Sequence, residues 1–229
     1  MRGSGLGTLF DGTWCELIDA PDEAIGLLPD GVPARIGSAF FSPSTSAWVA
    51  LHEVARISAG EHVLVTGATG AVGSLVVQLA LDAGAEVTAV VSDATQAGRM
   101  PDGVRVVVLQ DGTPDAVSVD LMVDTVGGPV LAAALPGVRP GGRAVLVGYT
   151  AGNALTLDIA HFLQRDVALL PLNMFRREAE GRAAAPELLA RLADGRLRLE
   201  VQSFALAEAA HAMDWIGQRG HRGRAVLVA

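Results

Sequence analysis

From residue 61 onward, short apolar runs alternate with stretches of helical periodicity, the pattern of a parallel sheet covered by helices on both faces. The runs predict strands at His62 to Thr66, Glu86 to Val91, Val104 to Leu109, Val119 to Asp124, Arg143 to Gly148 and Val167 to Leu172. Between them the spacing predicts a helix over 70–83, a shorter one after Ser92, and others near 129–135 and 157–163. Right-handed crossovers then place helices on both faces, giving a doubly wound α/β fold. Upstream, Ser44 to Arg56 reads as a helix capped by Ser44, Thr45 or Ser46, and Thr13 to Ile18 as a strand. Downstream lie a helix through Glu187 to Ala193, a strand at Leu199 to Phe204, a helix at Ala207 to Ile216 and a strand at Arg224 to Val228. Arg177 to Pro186 reads as an exposed helix or loop.

Composition narrows the partners. Half of the 229 residues are hydrophobic, enough for a full core, and 25 acidic residues against 17 basic ones give a net charge of −8. Such a surface repels nucleic acid and anionic lipid, so a small hydrophobic substrate is the expected partner. No apolar run reaches the roughly 18 residues that crossing a bilayer requires. The start lacks a basic segment followed by an apolar one, and a cytoplasmic protein is expected. A single cysteine, Cys15, excludes an internal disulfide and a four-cysteine zinc site. The histidines pair with no other ligand at metal spacing, so no metal is expected. Every cation is an arginine, which removes any mechanism built on a lysine amine.

The most informative segment runs from Val63 to Ser74, an apolar strand passing through Gly67, Gly70 and Gly73 into an apolar helix. In this G-x-x-G-x-x-G spacing, Gly67 makes the tight turn, Gly70 lets main chain approach a pyrophosphate, and Gly73 lets the helix pack closely on the strand. The amides of Ala71 and Val72 then face phosphate from a helix N-terminus. The bland alternative is a glycine turn kept for packing alone. Thr66 to Gly70 also resembles the loop of short-chain dehydrogenases. Their catalysis rests on a Tyr-x-x-x-Lys pair, which a chain without lysine cannot form.

The wider context resembles a different family. Ala47-Trp48-Val49-Ala50-Leu51-His52-Glu53-Val54, then Ala59-Gly60-Glu61-His62-Val63-Leu64-Val65, is similar to the entry to the cofactor domain of medium-chain dehydrogenase/reductases of the quinone-oxidoreductase, zeta-crystallin-like type. Gly12-Thr13-Trp14-Cys15-Glu16, Leu28-Pro29-Asp30-Gly31, Asp124-Thr125-Val126-Gly127-Gly128, Pro140-Gly141-Gly142-Arg143, Ala205 to Ala209 and Gly223-Arg224-Ala225-Val226 extend the likeness over nearly the whole chain. It implies a Rossmann nucleotide-binding domain over 43–196, with 1–42 and 197–229 as a small remnant of a β-rich, GroES-like substrate domain. Members of ordinary length carry a longer upstream stretch that walls the cleft. An open nicotinamide end is therefore expected here, and it puts in question a hydride transfer that needs near-attack geometry and exclusion of water.

The resemblance also implies the site. Cofactor contacts fall on Gly67, Gly70, Ala71, Val72, Gly73, Ser92, Val126, Gly127 and Gly148. Relatives that use NADPH surround its 2′-phosphate with a serine, a lysine and often a tyrosine. Here Ser92 is kept, the lysine position falls at about Gln96, and Val108 to Asp111 holds no tyrosine. Arg99 is either a substitute or a solvated surface residue. NADPH is favoured over NADH, and a lost site is a third option. Ser46 falls where relatives keep a hydroxyl near the nicotinamide, and Tyr149 and Asn173 follow the fifth and sixth strands at the cleft edge. The expected function is an NAD(P)H-dependent quinone or enone reductase, a homodimer paired through the sixth strand. The alternatives are a non-redox cyclase, dehydratase or isomerase of secondary metabolism, and a silent binding protein.

Overall fold

A computed structural model describes residues 5–7, 9–109, 117–218 and 223–229. Six parallel strands, β1 His62–Thr66, β2 Glu86–Val91, β3 Arg105–Val108, β4 Val119–Asp124, β5 Val138–Leu146 and β6 Ala168–Pro171, lie in the order β3-β2-β1-β4-β5-β6. This is the doubly wound sheet that the apolar runs predict. Side chains alternate across each strand, and both faces are buried. Val63, Val65, Leu121, Val123 and Val145 pack beneath α1 Ala34–Trp48, α2 Ala71–Asp82 and α5 Glu178–Ala193. Leu64, Val119, Met122 and Ala144 face the opposite way, toward α3 Gly128–Ala134 and α4 Ile159–Arg165.

β5 begins five residues before the expected Arg143. Pro140-Gly141-Gly142, ahead of the expected strand, forms an irregularity inside it, with Gly141 at φ 75° and a register shift against Val119 and Leu121. Of Arg177 to Pro186, Arg177 is the N-cap residue of α5 and the rest belongs to the helix, which runs through Pro186.

Two expectations upstream are corrected. Ser44, Thr45 and Ser46 cap nothing, because α1 starts ten residues earlier at Ala34, after Pro33. Pro43 sits within the helix and lacks an amide. The hydroxyls that follow it donate to main-chain carbonyls one turn back, Thr45 to Phe41 at 2.8 Å and Ser46 to Ser42 at 2.8 Å. The helix then widens into π-type turns over Val49–Ala55 and stops at Arg56, in the left-handed region at φ 54°. Thr13 to Ile18 forms no strand, since no neighbouring strand accepts its main chain. That segment leaves Trp14 and Leu17 largely exposed above the Ser38 to Ser42 face of α1.

Beyond the main sheet, β7 Val201–Ala205 and β8 Arg224–Val228 form a two-stranded parallel sheet joined through α6 Ala209–Gly217. Phe204 packs edge-on against His211 and Trp215.

One ion pair fixes the end of the long first helix to the sheet. Arg143 on β5 donates to both Glu61 carboxylate oxygens at 2.8 Å, and its Nε donates to the Ala55 carbonyl at 2.6 Å. Both side chains are mostly buried. The guanidinium holds the Glu61 carboxyl below its ordinary 4.5. A depressed carboxyl stabilises the fold above its unfolded value, and that contribution is lost as pH falls through the folded value. Glu61→Gln is expected to lower stability by about 2 kcal/mol near neutral pH. In urea melts at several pH values, the gap from wild type should close below pH 4.5.

Candidate functional site

The carboxyl ends of β1, β4 and β5 meet in a set of glycine-supported contacts. Gly67 leaves β1 at φ 61°, and a Cβ there would stand 2.6 Å from both Thr125 Oγ1 and Val126 Cγ2. Gly70 is the extended N-cap residue of α2 (φ −73°, ψ 171°) and brings no side chain to the helix start. A Cβ at Gly73 would overlap the Gly67 carbonyl oxygen. The third glycine therefore lets the helix close on its own loop, rather than on the strand as its spacing suggested. The first-turn amides of Ala71 and Val72 begin an apolar helix with no side-chain cap, an arrangement suited to an anion.

Behind the loop lies a polar knot that the sequence reading missed. Asp124 is completely buried and accepts from Thr66 Oγ1 at 2.6 Å and the Gly127 amide at 2.8 Å. Thr125 returns two bonds to Thr66, its amide to the hydroxyl at 3.1 Å and its own hydroxyl to the carbonyl at 2.8 Å. Burial raises the Asp124 pKa, and the hydrogen bonds oppose that rise. The available signal was register: two polar residues end two mainly apolar strands, and they pair as neighbours.

Val126, Gly127 and Gly148 line the same edge. Gly127 takes φ 74°, and a Cβ there would lie 2.7 Å from the Tyr149 Cα. A Cβ at Gly148 would overlap the Thr125 carbonyl. The Ala151 amide donates to the Val126 carbonyl at 2.8 Å, joining the β4 and β5 ends. Tyr149 stands here with 74 % of its surface exposed. Asn173 follows β6, but its Oδ1 accepts from the amides of Phe175, at 3.0 Å, and Arg176, which shapes the turn into α5. Ser46 is 9 % exposed, and its hydroxyl is spent on the Ser42 carbonyl.

At the end of β2, Ser92 is exposed and its amide donates to Gln96 Oε1 at 3.2 Å. Thr69 donates to the same oxygen at 3.3 Å. Gln96 is only 3 % exposed, so it braces the glycine loop against the β2 end from within. Asp93 caps the 3-10 turn Ala94–Arg99 by accepting from the Thr95 amide at 2.9 Å and from its hydroxyl, which holds its pKa low. Gln110 and Asp111, where a tyrosine was sought, lie outside the described residues. Arg99, half-buried, borders a cleft of about 700 Å³ that begins at Ala68 and Thr69 and runs down the outer side of α2.

The model of the zinc-binding dehydrogenase family matches residues 103–227, and that of the NAD dependent epimerase/dehydratase family matches 63–137, which includes the glycine loop. A phenolphthiocerol/phthiocerol polyketide synthase of Mycobacterium tuberculosis is 30 % identical over 98 % of this chain, which spans 10 % of that protein's length. YhfP of Bacillus subtilis, named for the quinone oxidoreductases, is 27 % identical over 97 % of this chain and 71 % of its own. The solved structure of mycobacterial Rv1454c complexed with NADPH superposes with a TM-score of 0.78 at 23 % identity, covering 88 % of this chain and 66 % of that one. The residues present do not fit the metal in the first family's name. Among the described residues, no group of three or more His, Cys, Asp or Glu converges, and Cys15 is exposed.

Gly73→Ala is expected to destabilise the fold by about 2 kcal/mol or more, since the added carbon overlaps main chain. Gly98→Ala, whose Cβ would meet nothing within 4 Å, serves as the neutral control in the same denaturation series.

Proposed function

The chain belongs to the zinc-binding dehydrogenase family, and on that premise we propose that it is a zinc-independent, NADPH-preferring reductase of small hydrophobic quinones or enones. The observation that carries this reading is the uncapped start of α2 behind a loop with no side chain at Gly67 or Gly70. A side chain at Gly70 would stand where phosphate oxygens approach, and one at Gly67 would push the turn away from Thr125 and Val126. The sequence likeness to YhfP and the fold shared with an NADPH complex agree with it.

When bound, the reduced nicotinamide supplies the hydride. The chain's own residues position and polarise. The main chain at Gly67 and Gly70, with the amides of Ala71 and Val72, holds the pyrophosphate, and Gly73 fixes that helix start against the loop. Ser92 and Arg99 face the adenosine end. Val126, Gly127 and Gly148 provide a side-chain-poor path across the β4 and β5 ends toward Tyr149. In this reading the exposed Tyr149 hydroxyl donates a hydrogen bond, or a proton, to the oxygen of a quinone or enone acceptor. Asn173 shapes the turn beside it, and Ser46 stiffens α1 rather than meeting substrate. Residues 43–196 act as the nucleotide-binding unit of a cytoplasmic homodimer joined at β6, one of the two edge strands of the sheet.

The test is a thermal and calorimetric titration with NADPH and NADH. A ligand at about a hundredfold its Kd stabilises the native state by roughly 2.7 kcal/mol, so NADPH should raise the melting temperature. Gly70→Asp places a carboxylate at the helix start and should abolish that response while leaving the unliganded melt near wild type. Silence toward both nucleotides at millimolar concentration overturns the reductase reading. A non-redox cyclase, dehydratase or isomerase would then take its place.

A further inference from the structure

Beside the glycine loop, the cleft along α2 gathers positive charge on a molecule whose net charge is −8. Arg99, Arg196 and Arg198 line it, against Asp82 and Glu200. Several of these charges are answered locally: Arg196 pairs with Asp194 at 2.7 Å, Asp82 with Arg191 at 2.5 Å, and Arg99 acts on nearby Asp93. Arg198 has no carboxylate within ion-pair distance among the described residues. Its Nε reaches only the Gly195 carbonyl, at 3.4 Å.

The main chain of Arg198 is also held in place. Gln78 on α2 accepts from the Arg198 amide at 2.8 Å and donates to its carbonyl at 3.0 Å, as a neighbouring strand would. The residue is thus pinned to the same helix whose first turn faces the loop. Gln96, where the resemblance expects a phosphate-binding lysine, is neutral and turned inward onto Ser92 and Thr69. A cation for an anionic ligand on this side must come from the other walls of the cleft.

We propose that Arg198, clamped by Gln78 and lining the same cleft as Arg99, forms a phosphomonoester site, and that its ligand is the 2′-phosphate of an adenine nucleotide. The inference rests on the nucleotide reading above, and it moves discrimination of the 2′-phosphate from the β2 end to the loop after α5. A guanidinium fork matches the oxygens of a dianionic monoester, and the cleft joins the loop at Thr69. Gln78 is a positioning residue, acting through the Arg198 main chain.

The experiment is calorimetric titration of the whole chain with 2′,5′-ADP, 5′-AMP and inorganic phosphate, on wild type, Arg198→Ala and Gln78→Ala. Wild type should bind 2′,5′-ADP about tenfold more tightly than 5′-AMP, the worth of one charge-assisted contact. Arg198→Ala should remove that ratio and leave 5′-AMP affinity unchanged, and Gln78→Ala should reduce it part-way. Arg198 is exposed, so its variant should keep the wild-type melting temperature. Equal affinity for the two nucleotides, unchanged in Arg198→Ala, overturns this site and leaves the nucleotide reading intact. Phosphate binding that needs Arg198, with no response to either nucleotide, supports the monoester chemistry, removes the adenine nucleotide as its source and overturns the nucleotide reading. Silence toward all three overturns both.

Discussion

The hydrogen bond from Thr66 to the buried Asp124 carboxylate joins the ends of β1 and β4, where the strand order of the sheet reverses direction. Crossovers leave on opposite faces at this point, so the two loops diverge and open a crevice between them. A carboxylate in so apolar a place is costly unless its oxygens are used. Here one oxygen takes the Thr66 hydroxyl and the other the Gly127 amide, and both loops are held by one side chain. The glycines at 67, 127 and 148 are consequences of that closeness. Each sits where the neighbouring strand's turn leaves no room for a Cβ.

The sheet was legible because strands buried on both faces read as short apolar runs, here recurring at regular intervals with helical stretches between them. β1, β2 and β4 fall on the predicted residues. The errors lie where local chemistry is overruled from a distance. Pro140-Gly141-Gly142 has the composition of a turn, yet contact with β4 makes it strand. Ser44 to Ser46 have the composition of a cap, yet packing of α1 against α2 and α5 makes them helix interior. Thr13 to Ile18 is rich in strand-forming residues, yet among the described residues no strand lies beside it to pair with.

Of the site, the glycine loop was legible because its spacing encodes main-chain geometry directly. The side chains were not. The inward turn of Gln96, the Asn173 turn and the back-bonded Ser46 hydroxyl depend on which way a side chain points once its neighbours are placed. Arg198 carries no local motif at all, and long-range contacts such as that with Gln78, 120 residues away in sequence, bring it to the cleft.

Gly70 forms an isolated bridge with Gly223, 153 residues downstream, just ahead of β8. The glycine loop is therefore translated early and finished late. While the ribosome is still making α5 and α6, the Rossmann sheet can assemble, but the outer support of its glycine turn has not yet been synthesised. A nascent chain at that stage would have a folded core and an unfinished mouth, and arrival of β8 would mark the moment at which the protein first becomes competent to hold a ligand there.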